Sequence, residues 1–475
     1  MEMRVSARSD RIVLAAAAPT APATQPPRDL PRRRRSLLRH PSQVVVSAFA
    51  IAIAVGTVLL WLPLSRSGPG GAPLVTALFT ATSAVCVTGL VTVDTPTYWS
   101  GFGQLVILGL IQVGGFGIMT MASLLGMLVS RRMGLRTRIT AAAETKSLDL
   151  GDVRRVLLGV MRVTLLFELS VAVLLTARWA LGYDEPLGRA IELGVFHSIS
   201  SFNNAGFSLF SDNLIGMADD PWILLPIALS VVGGSLGFPV IMELRRQLRP
   251  RKWSLHTKLT VGMTAVLLLG GTLFVTAGEW GNANTLGPLP TDEKVLNGFF
   301  HAVMPRTAGF NAWDYAEVTD GTLLGTIMLM FIGGGSAGTA GGIKVTTFVV
   351  LFFAILAEAR GERSVNAFDR RIDTRTQRQA LTVALLGIAA IVGATLLLIE
   401  LTDHSLAAVL FETTSAFGTV GLSTGITASL PGSAQVVLVI LMFLGRLGPI
   451  TLVSALALRD RQRRYQLPEG RPIIG

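Results

Sequence analysis

Eight long apolar segments constrain the fold of this chain more than any other feature of its sequence. Each is long enough to cross a hydrocarbon core of about 30 Å as a helix. They are residues 44–64, 102–130, 156–180, 221–243, 257–278, 321–357, 380–402 and 433–458. Only 15% of the 475 residues are charged, whereas about a quarter are charged in soluble domains. The sequence predicts an all-α integral membrane protein with eight membrane-spanning helices.

Basic residues cluster in alternate loops between these segments. They lie in 131–155, 245–258, 360–378 and 459–464, and the N-terminal tail adds Arg32 to Arg35. Cytoplasmic loops carry an excess of Lys and Arg. The pattern therefore predicts cytoplasmic N and C termini and a multi-pass protein of the cell (inner or plasma) membrane. The same pattern accounts for the net charge of +11. We therefore expect this chain to contact a lipid bilayer and not to bind nucleic acid.

The two ends of the chain are predicted to be tails, and its single cysteine excludes some classes of site. Residues 1–40 are predicted to be a disordered basic cytoplasmic tail, with a secretory signal around 12–18 as the alternative, and residues 461–475 a cytoplasmic C-terminal tail. Cys86 alone excludes an internal disulfide and a four-cysteine zinc site. We find no Ser/His/Asp or His/Cys/Glu cluster at a usable spacing, so we expect no enzymatic activity and no cofactor bound by this chain.

A fourfold repeat organises the eight segments. Between the segments of each pair lies an apolar stretch too short to span, followed by a turn that contains glycine. The short stretches are 72–86, 187–202, 294–304 and 405–417. The four turn glycines are Gly89, Gly206, Gly309 and Gly421. We predict four M1–pore helix–M2 repeats around a central pore, covering 41–135, 150–250, 251–365 and 375–460.

These short helices and turns predict a site for a desolvated cation. Non-helical backbone at membrane depth is tolerated where it is buried in protein or lines water. Four helix C-termini that converge on one axis bring partial negative charge, and turn carbonyls can replace the hydration shell of an ion. The predicted ion-binding residues are Val87, Thr88, Gly89, Asn204, Ala205, Gly206, Thr307, Ala308, Gly309, Thr419, Val420 and Gly421. The alternative is that the glycines only allow close helix packing.

The sixth segment contains too many glycines to be one helix. Each glycine costs about 1 kcal/mol relative to alanine in a helix. We predict a helix to Ile332, an irregular loop, and a helix from about Val345. The loop matches G-x-G-x-x-G, but no βαβ unit surrounds it, so we do not expect a nucleotide there. The predicted gating residues of this loop are Gly333, Gly334, Gly335, Ser336, Ala337, Gly338, Thr339, Ala340, Gly341 and Gly342.

The alternative to a gating role for this loop is a kink that relieves helix packing. Two basic residues lie at or near the loop. Lys344 ends the loop and Arg446 lies inside the last segment. A charge at such depth is costly and is usually functional or paired. Arg446 can latch the loop through its carbonyls or through Ser336 or Thr339. Lys344 can instead reach the cytoplasmic interface with its long side chain.

Other polar residues near the turns are predicted to support them. His197, His301 and Glu412 each follow the phenylalanine of a short helix, and we expect them to brace the turns by hydrogen bonds to neighbouring helices. Asn203, Asn204 and Arg306 are expected to hold the turns rather than to touch an ion.

The turns resemble the filter segments of the Trk/Ktr/HKT potassium transporter superfamily. The resemblance covers about residues 42–460 and rests on four motifs, CVTGL (86–90), FNNAGF (202–207), RTAGF (306–310) and FGTVGLSTG (417–425). The eight-span count is most similar to the KtrB membrane subunits of the Ktr branch. The resemblance implies potassium uptake, with K⁺ at the four filter glycines, a gating loop at 333–342 and a latch at Arg446.

The resemblance also implies partners. It implies a homodimer that sits on a KtrA-like cytosolic ring of nucleotide-binding (RCK-type) regulatory subunits, so a nucleotide is expected on the partner. Na⁺ as an activator stays open. The alternatives are a Trk-type or Na⁺-permeable member and a secondary transporter with a midplane site made of broken helices. Two inverted halves would favour that transporter, whereas four repeats in one orientation argue against it.

Overall fold

The computed structural model describes the backbone of residues 41–131 and 150–448 and the side chains of 43–120, 154 and 156–448. The predicted tails, 1–40 and 461–475, lie outside these residues. So do positions 132–149 of the first basic loop and positions 449–460 of the last apolar segment.

The described chain repeats one order of elements four times: a long helix, a short helix, a turn and a further helix. The helices are α1 (Pro41–Trp61), α2 (Leu74–Val85), α3 (Thr95–Tyr98), α4 (Gly101–Arg131), α5 (Leu150–Gly182), α6 (Leu187–Phe202), α7 (Pro221–Leu236), α8 (Phe238–Arg246), α9 (Leu255–Glu279), α10 (Thr291–Val303), α11 (Asp320–Phe331), α12 (Val345–Ala359), α13 (Thr374–Leu401), α14 (Leu406–Gly418) and α15 (Gly432–Leu447). Short 3₁₀ helices cover Pro63–Ser65, Ile215–Met217, Pro250–Lys252 and Ile426–Ser429. Strands β1 (Asn366–Ala367) and β2 (Arg370–Arg371) form an antiparallel hairpin between α12 and α13.

Several of these helices are suited to a bilayer. Within the described residues, five segments are long and apolar enough to cross a membrane: Gln43–Trp61, Gly101–Thr120, Val156–Gly182, Leu255–Glu279 and Thr374–Leu401. Large apolar side chains on their outer faces are exposed, as at Leu105, Leu169 and Leu273. Exposed apolar surface of this extent is expected where a helix contacts lipid.

The second span of the second predicted repeat differs from expectation. The sequence predicts one apolar segment over 221–243, but the structure divides it into α7 and α8, which are bent by 98°. Gly237 lies at the bend with φ of 90°, and Pro239 follows at the start of α8. A positive φ is inexpensive for glycine, and proline is well accommodated in the first turn of a helix, so the chain bends here.

The four short helices lie inside the bundle of long helices. At equivalent positions they carry phenylalanines that are at most 3% exposed: Phe79, Phe196, Phe300 and Phe411. Apolar residues of α2, α6, α10 and α14 pack against those of the long helices, so the turns that follow them lie in the protein interior.

Candidate functional site

The four turns share one backbone geometry. The first residue of each turn and the glycine two positions later both have positive φ, which glycine adopts freely and other residues rarely adopt. The angles are 56° and 94° at Val87 and Gly89, 61° and 69° at Asn204 and Gly206, 73° and 73° at Thr307 and Gly309, and 49° and 95° at Thr419 and Gly421. The repeated spacing in the sequence therefore corresponds to four equivalent turns. We call them the first to fourth glycine turns.

The glycine turns meet in a closed ring. A β-carbon on any of the four glycines would come within 3.0 Å of a backbone carbonyl oxygen of another turn. These approaches run from Gly89 to Ala205, from Gly206 to Ala308, from Gly309 to Val420 and from Gly421 to Thr88. Because the fourth contact returns to the first turn, the ring is complete, and each close approach requires glycine.

The ring has the electrostatics of a cation site. Each turn directly follows a short helix, so the C-terminal ends of α2, α6, α10 and α14 converge on the ring. A helix C-terminus carries about half a negative charge. Backbone carbonyls gathered at one level can replace the water around a small cation. The arrangement therefore suits a dehydrated monovalent cation.

Three of the four turns are attached to their short helices in the same way. The middle residue of the turn donates its N–H to a serine carbonyl five residues earlier: Thr88 to Ser83 at 2.8 Å, Ala205 to Ser200 at 2.7 Å and Val420 to Ser415 at 2.8 Å. The third turn differs, because Val303 occupies the serine position and Ala308 donates to Met304 instead, at 3.0 Å. The third turn is therefore the exception to this mode of attachment.

The polar residues after the buried phenylalanines brace the segment beyond each turn. His197 Nε2 accepts the Leu209 N–H at 3.4 Å, and His301 Nε2 accepts the Ala312 N–H at 3.2 Å. Glu412 Oε1 accepts the Thr424 N–H at 3.0 Å. All three donors lie three residues after the turn glycine. The prediction of bonds to neighbouring helices was wrong for these contacts, because each joins two parts of the same repeat.

A buried polar network supports the second turn, and sequence reasoning did not find it. Asn203 Nδ2 donates to Gln112 Oε1 at 2.9 Å and to Glu168 Oε1 at 3.0 Å. Gln112 Nε2 donates to Glu168 Oε2 at 3.2 Å. The network joins α4, α5 and the end of α6. Asn203 is predicted to hold the turn, and the structure shows that its partners lie 35 and 91 residues away, beyond the reach of a local pattern.

The predicted loop at 333–342 lies between α11 and α12, and its ends are joined. The Gly333 N–H donates to the Ile343 carbonyl at 2.8 Å, and the Val345 N–H donates to the Gly334 carbonyl at 3.0 Å. The two half-helices therefore nearly meet at the base of the loop, and the remaining loop residues project from it.

The loop packs against the break between α7 and α8. The Gly335 N–H donates to the Ser235 carbonyl at 2.7 Å, and the Thr339 N–H donates to the Gly234 carbonyl at 3.1 Å. A β-carbon on Gly338 would come within 3.0 Å of both acceptors. The bend at Gly237 thus exposes carbonyls that the loop uses, and this pairing of two broken segments was not predicted.

The loop also contacts the ring. Thr339 Oγ1 donates to Asn204 Oδ1 of the second turn at 2.8 Å. A β-carbon on Gly341 would overlap the Thr419 side chain of the fourth turn. Arg306, next to the third turn, donates to the Gly333 carbonyl at 3.4 Å. The predicted gating and ion-binding residues therefore form one connected structure.

Arg446 and Lys344 both bind loop carbonyls. The guanidinium of Arg446, which is 3% exposed, donates to the Thr339 carbonyl and to the Gly114 carbonyl of α4, the latter at 3.1 Å. Lys344 Nζ donates to the Ala340 carbonyl at 2.5 Å. Ser336 pairs with Thr346 instead of Arg446, with their hydroxyl oxygens 3.1 Å apart. Both side chains thus bind the loop backbone, Arg446 from a buried position and Lys344 from a partly buried one.

Glycines in the helices after three of the turns allow close packing against the short helices. A β-carbon on Gly114, Gly234 or Gly445 would come within 3.0 Å of the carbonyl oxygen of Val85, Phe202 or Phe417, respectively. Each acceptor lies four residues before the turn glycine. The sequence does contain a pattern that could have indicated this packing. In these three helices, a glycine or a glycine pair recurs 24 to 28 residues after the turn glycine.

In the part of the chain that the structure describes, no group of three or more His, Cys, Asp or Glu side chains could hold a metal ion.

Comparison with known proteins identifies the family. The chain matches the TrkH cation transport protein family over residues 12–465. It is 39% identical to the Ktr system potassium uptake protein B of Bacillus subtilis (strain 168), covering 92% of this chain and 97% of that protein. It is 33% identical to the potassium/sodium uptake protein NtpJ of Enterococcus hirae, covering 92% and 97%.

A solved structure has the same fold. The potassium transporter TrkH from Vibrio parahaemolyticus superposes with a TM-score of 0.70 at 17% identity, covering 90% of this chain and 87% of that one. At that identity the likeness concerns the fold alone. With the match over nearly the whole sequence, these relationships show that the chain belongs to the TrkH cation transport protein family.

Proposed function

We propose that this protein takes up K⁺ across the cell membrane through the ring of glycine turns, as a channel-like translocating subunit of a Ktr-type system. The observation that carries the proposal is the closed ring of Gly89, Gly206, Gly309 and Gly421 at the C-termini of four short helices. Relatives named as potassium uptake proteins support the choice of ion. Four M1–pore helix–M2 repeats with eight spans are part of this proposal.

The loop at 333–342 is the proposed gate. It is attached to the ring through Thr339 and held by Arg446 and Lys344. Glycine-rich backbone is easily rearranged, so a difference of a few kcal/mol is enough to shift the loop between closed and open states. Arg446 is the proposed latch of the closed state.

The proposed setting is a homodimer in the cell membrane with both termini in the cytoplasm. A cytosolic ring of nucleotide-binding RCK-type subunits is the proposed regulator, because the Ktr relatives are named as parts of a system. The exposed arginines Arg370 and Arg371 of the β1–β2 hairpin are suitable contacts, since arginine pairs well with acidic surfaces.

The test is ion flux into vesicles that contain the purified protein. We expect K⁺ uptake that a tenfold excess of Na⁺ inhibits only weakly. Equal uptake of K⁺ and Na⁺ would favour a Na⁺-permeable member, as the name of the Enterococcus hirae relative suggests for that protein. No flux of either ion with the folded protein, alone or with its regulatory ring, would contradict the proposal.

A further inference from the structure

We propose that Thr339 is a positioning residue for the second glycine turn, through which the closed loop keeps the ring selective for K⁺ over Na⁺. This inference rests on the proposed function and adds a residue outside the ring to the determinants of selectivity.

The hydroxyl of Thr339 is directed at the second turn. Thr339 is fully buried, and its Oγ1 lies 2.8 Å from Asn204 Oδ1 and 3.2 Å from the Phe202 carbonyl oxygen. A hydroxyl has one proton, and the shorter distance favours Asn204 as its acceptor. The other end of the Asn204 amide donates to Ser235 Oγ at 2.7 Å. Both ends of this side chain are therefore held.

Asn204 controls the position of a ring carbonyl. It has φ of 61°, and it directly precedes Ala205, whose carbonyl approaches Gly89. Asparagine tolerates the left-handed region better than most residues, and here its side chain is also held at both ends by residues distant in sequence. Release of the side chain would relax this backbone, and with it the direction of the Ala205 carbonyl.

Among the described residues, the second turn is the one whose first side chain hydrogen-bonds a loop side chain, whereas Arg306, just before the third turn, donates to the Gly333 backbone carbonyl. The equivalent residue in the first turn is Val87, which has no polar side-chain atom. In the third and fourth turns the hydroxyls of Thr307 and Thr419 are buried and have no hydrogen-bond partner among the described residues. The link between loop and ring is therefore asymmetric and concentrated at Asn204.

Thr339 is also the residue to which the proposed latch, Arg446, is hydrogen-bonded. Its carbonyl accepts from Arg446, while its N–H donates to the Gly234 carbonyl. A movement of the loop that separates Thr339 from Arg446 therefore also displaces the hydroxyl from Asn204. Selectivity in carbonyl-lined filters depends on the number and field of the coordinating carbonyls. The position of the loop should therefore influence the choice of ion as well as the rate of passage.

The experiment compares Thr339→Val with Thr339→Ser in the full-length protein in vesicles. Valine keeps the shape and removes the hydroxyl, whereas serine keeps the hydroxyl and removes a methyl group. We expect Thr339→Val to raise Na⁺ uptake relative to K⁺ about fivefold, the effect of losing one neutral hydrogen bond. Thr339→Ser should keep the parent ratio.

Ser235→Ala provides a second route in case the valine variant does not fold. It leaves the loop intact and frees the other end of Asn204, so it should also raise relative Na⁺ uptake. Arg446→Gln combined with Thr339→Val should raise it no more than the larger single effect, because both changes release the same contact.

The outcomes distinguish a failure of the positioning role of Thr339 from a failure of the proposed function. A parent-like ion ratio in folded Thr339→Val or Ser235→Ala, alongside an altered ratio in Gly206→Ser, overturns the positioning role and leaves the proposed function intact. Equal effects of the valine and serine variants also overturn it, because packing would then explain both. Unchanged transport in every ring-glycine variant overturns the proposed function itself.

Discussion

Arg446 and Thr339 are 107 residues apart in sequence and are joined by a buried hydrogen bond from the guanidinium to the backbone carbonyl. The same guanidinium reaches the Gly114 carbonyl of α4 at 3.1 Å. One side chain of α15 therefore joins the loop to α4. Such a bond between a charged donor and a neutral acceptor contributes about 1.5–3 kcal/mol.

Arg446→Gln should raise basal K⁺ flux. Glutamine retains a neutral donor but is shorter, so we expect the closed state to lose about 1.4 kcal/mol and the flux per folded protein to rise about tenfold. Dependence on the regulatory ring should weaken at the same time. The measurement is K⁺ uptake into vesicles, normalised to folded protein.

Arg189→Gln is the control for this substitution. Arg189 pairs with Glu192 on an exposed part of α6, and exposed ion pairs contribute little. Its flux should equal that of the parent. Parent-like flux in Arg446→Gln as well would show that the buried guanidinium does not hold a gate.

Deletion of residues 336–340 should open the pathway. The deletion removes the part of the loop that projects toward the ring and leaves the Gly333–Ile343 hydrogen bond at its base. We expect higher K⁺ flux per folded protein. A packing kink would instead give lower yield with unchanged or lower flux per folded molecule, so size-exclusion profiles and uptake measured together distinguish the two.

The sequence predicted the parts of the site that depend on short patterns. The short helices, the glycine turns and the break in the sixth segment all follow from apolar length and glycine spacing. The bend at Gly237 was missed because the apolar run of 221–243 continues across it. Contacts such as Thr339 with Asn204 and Asn203 with Glu168 depend on tertiary packing, and no local pattern encodes which distant polar groups meet.

Gly206→Ser should impair K⁺ selectivity. Its β-carbon would lie 2.5 Å from the Ala308 carbonyl oxygen, and a non-glycine residue at positive φ costs about 1–2 kcal/mol. We expect several-fold weaker K⁺ affinity or higher Na⁺ passage, with some loss of thermal stability.

Gly109→Ser is the matched control, since nothing lies within 4 Å of a β-carbon at this exposed position in α4. It should transport like the parent. Unchanged affinity and selectivity in Ser variants of all four turn glycines would mean that the ring is not a filter.

Gly115→Ala should destabilise the protein through Asn203. A β-carbon on Gly115 would overlap the Asn203 side-chain oxygen, and the Nδ2 of the same amide donates to Glu168. We expect the free energy of unfolding to fall by about 1–3 kcal/mol, as it does in other overpacked cores. Asn203→Ala creates space but removes the donor to Glu168 Oε1, so that only the Gln112 amide still donates to this carboxyl group. The double variant should therefore show a coupling of about 0.5–3 kcal/mol in thermal unfolding in detergent, whereas additive effects would contradict this account.

Charge reversal on the β1–β2 hairpin should weaken binding of the regulatory ring. Arg370 and Arg371 are exposed between α12 and α13, in a basic loop predicted to be cytoplasmic. Arg370→Glu with Arg371→Glu should reduce co-purification of the native complex more than tenfold, because like charges placed against an acidic surface oppose docking. Arg189→Glu reverses one charge at a residue of α6, away from the hairpin, and it should leave the complex intact, whereas the single variant Arg370→Glu should not. If the hairpin contacts lipid headgroups instead, the double variant will still co-purify with the regulatory ring. In detergent solution, it will then bind anionic lipid nanodiscs less well than the parent protein does. Full activity and regulation of the purified chain without any partner would exclude the ring as its regulator.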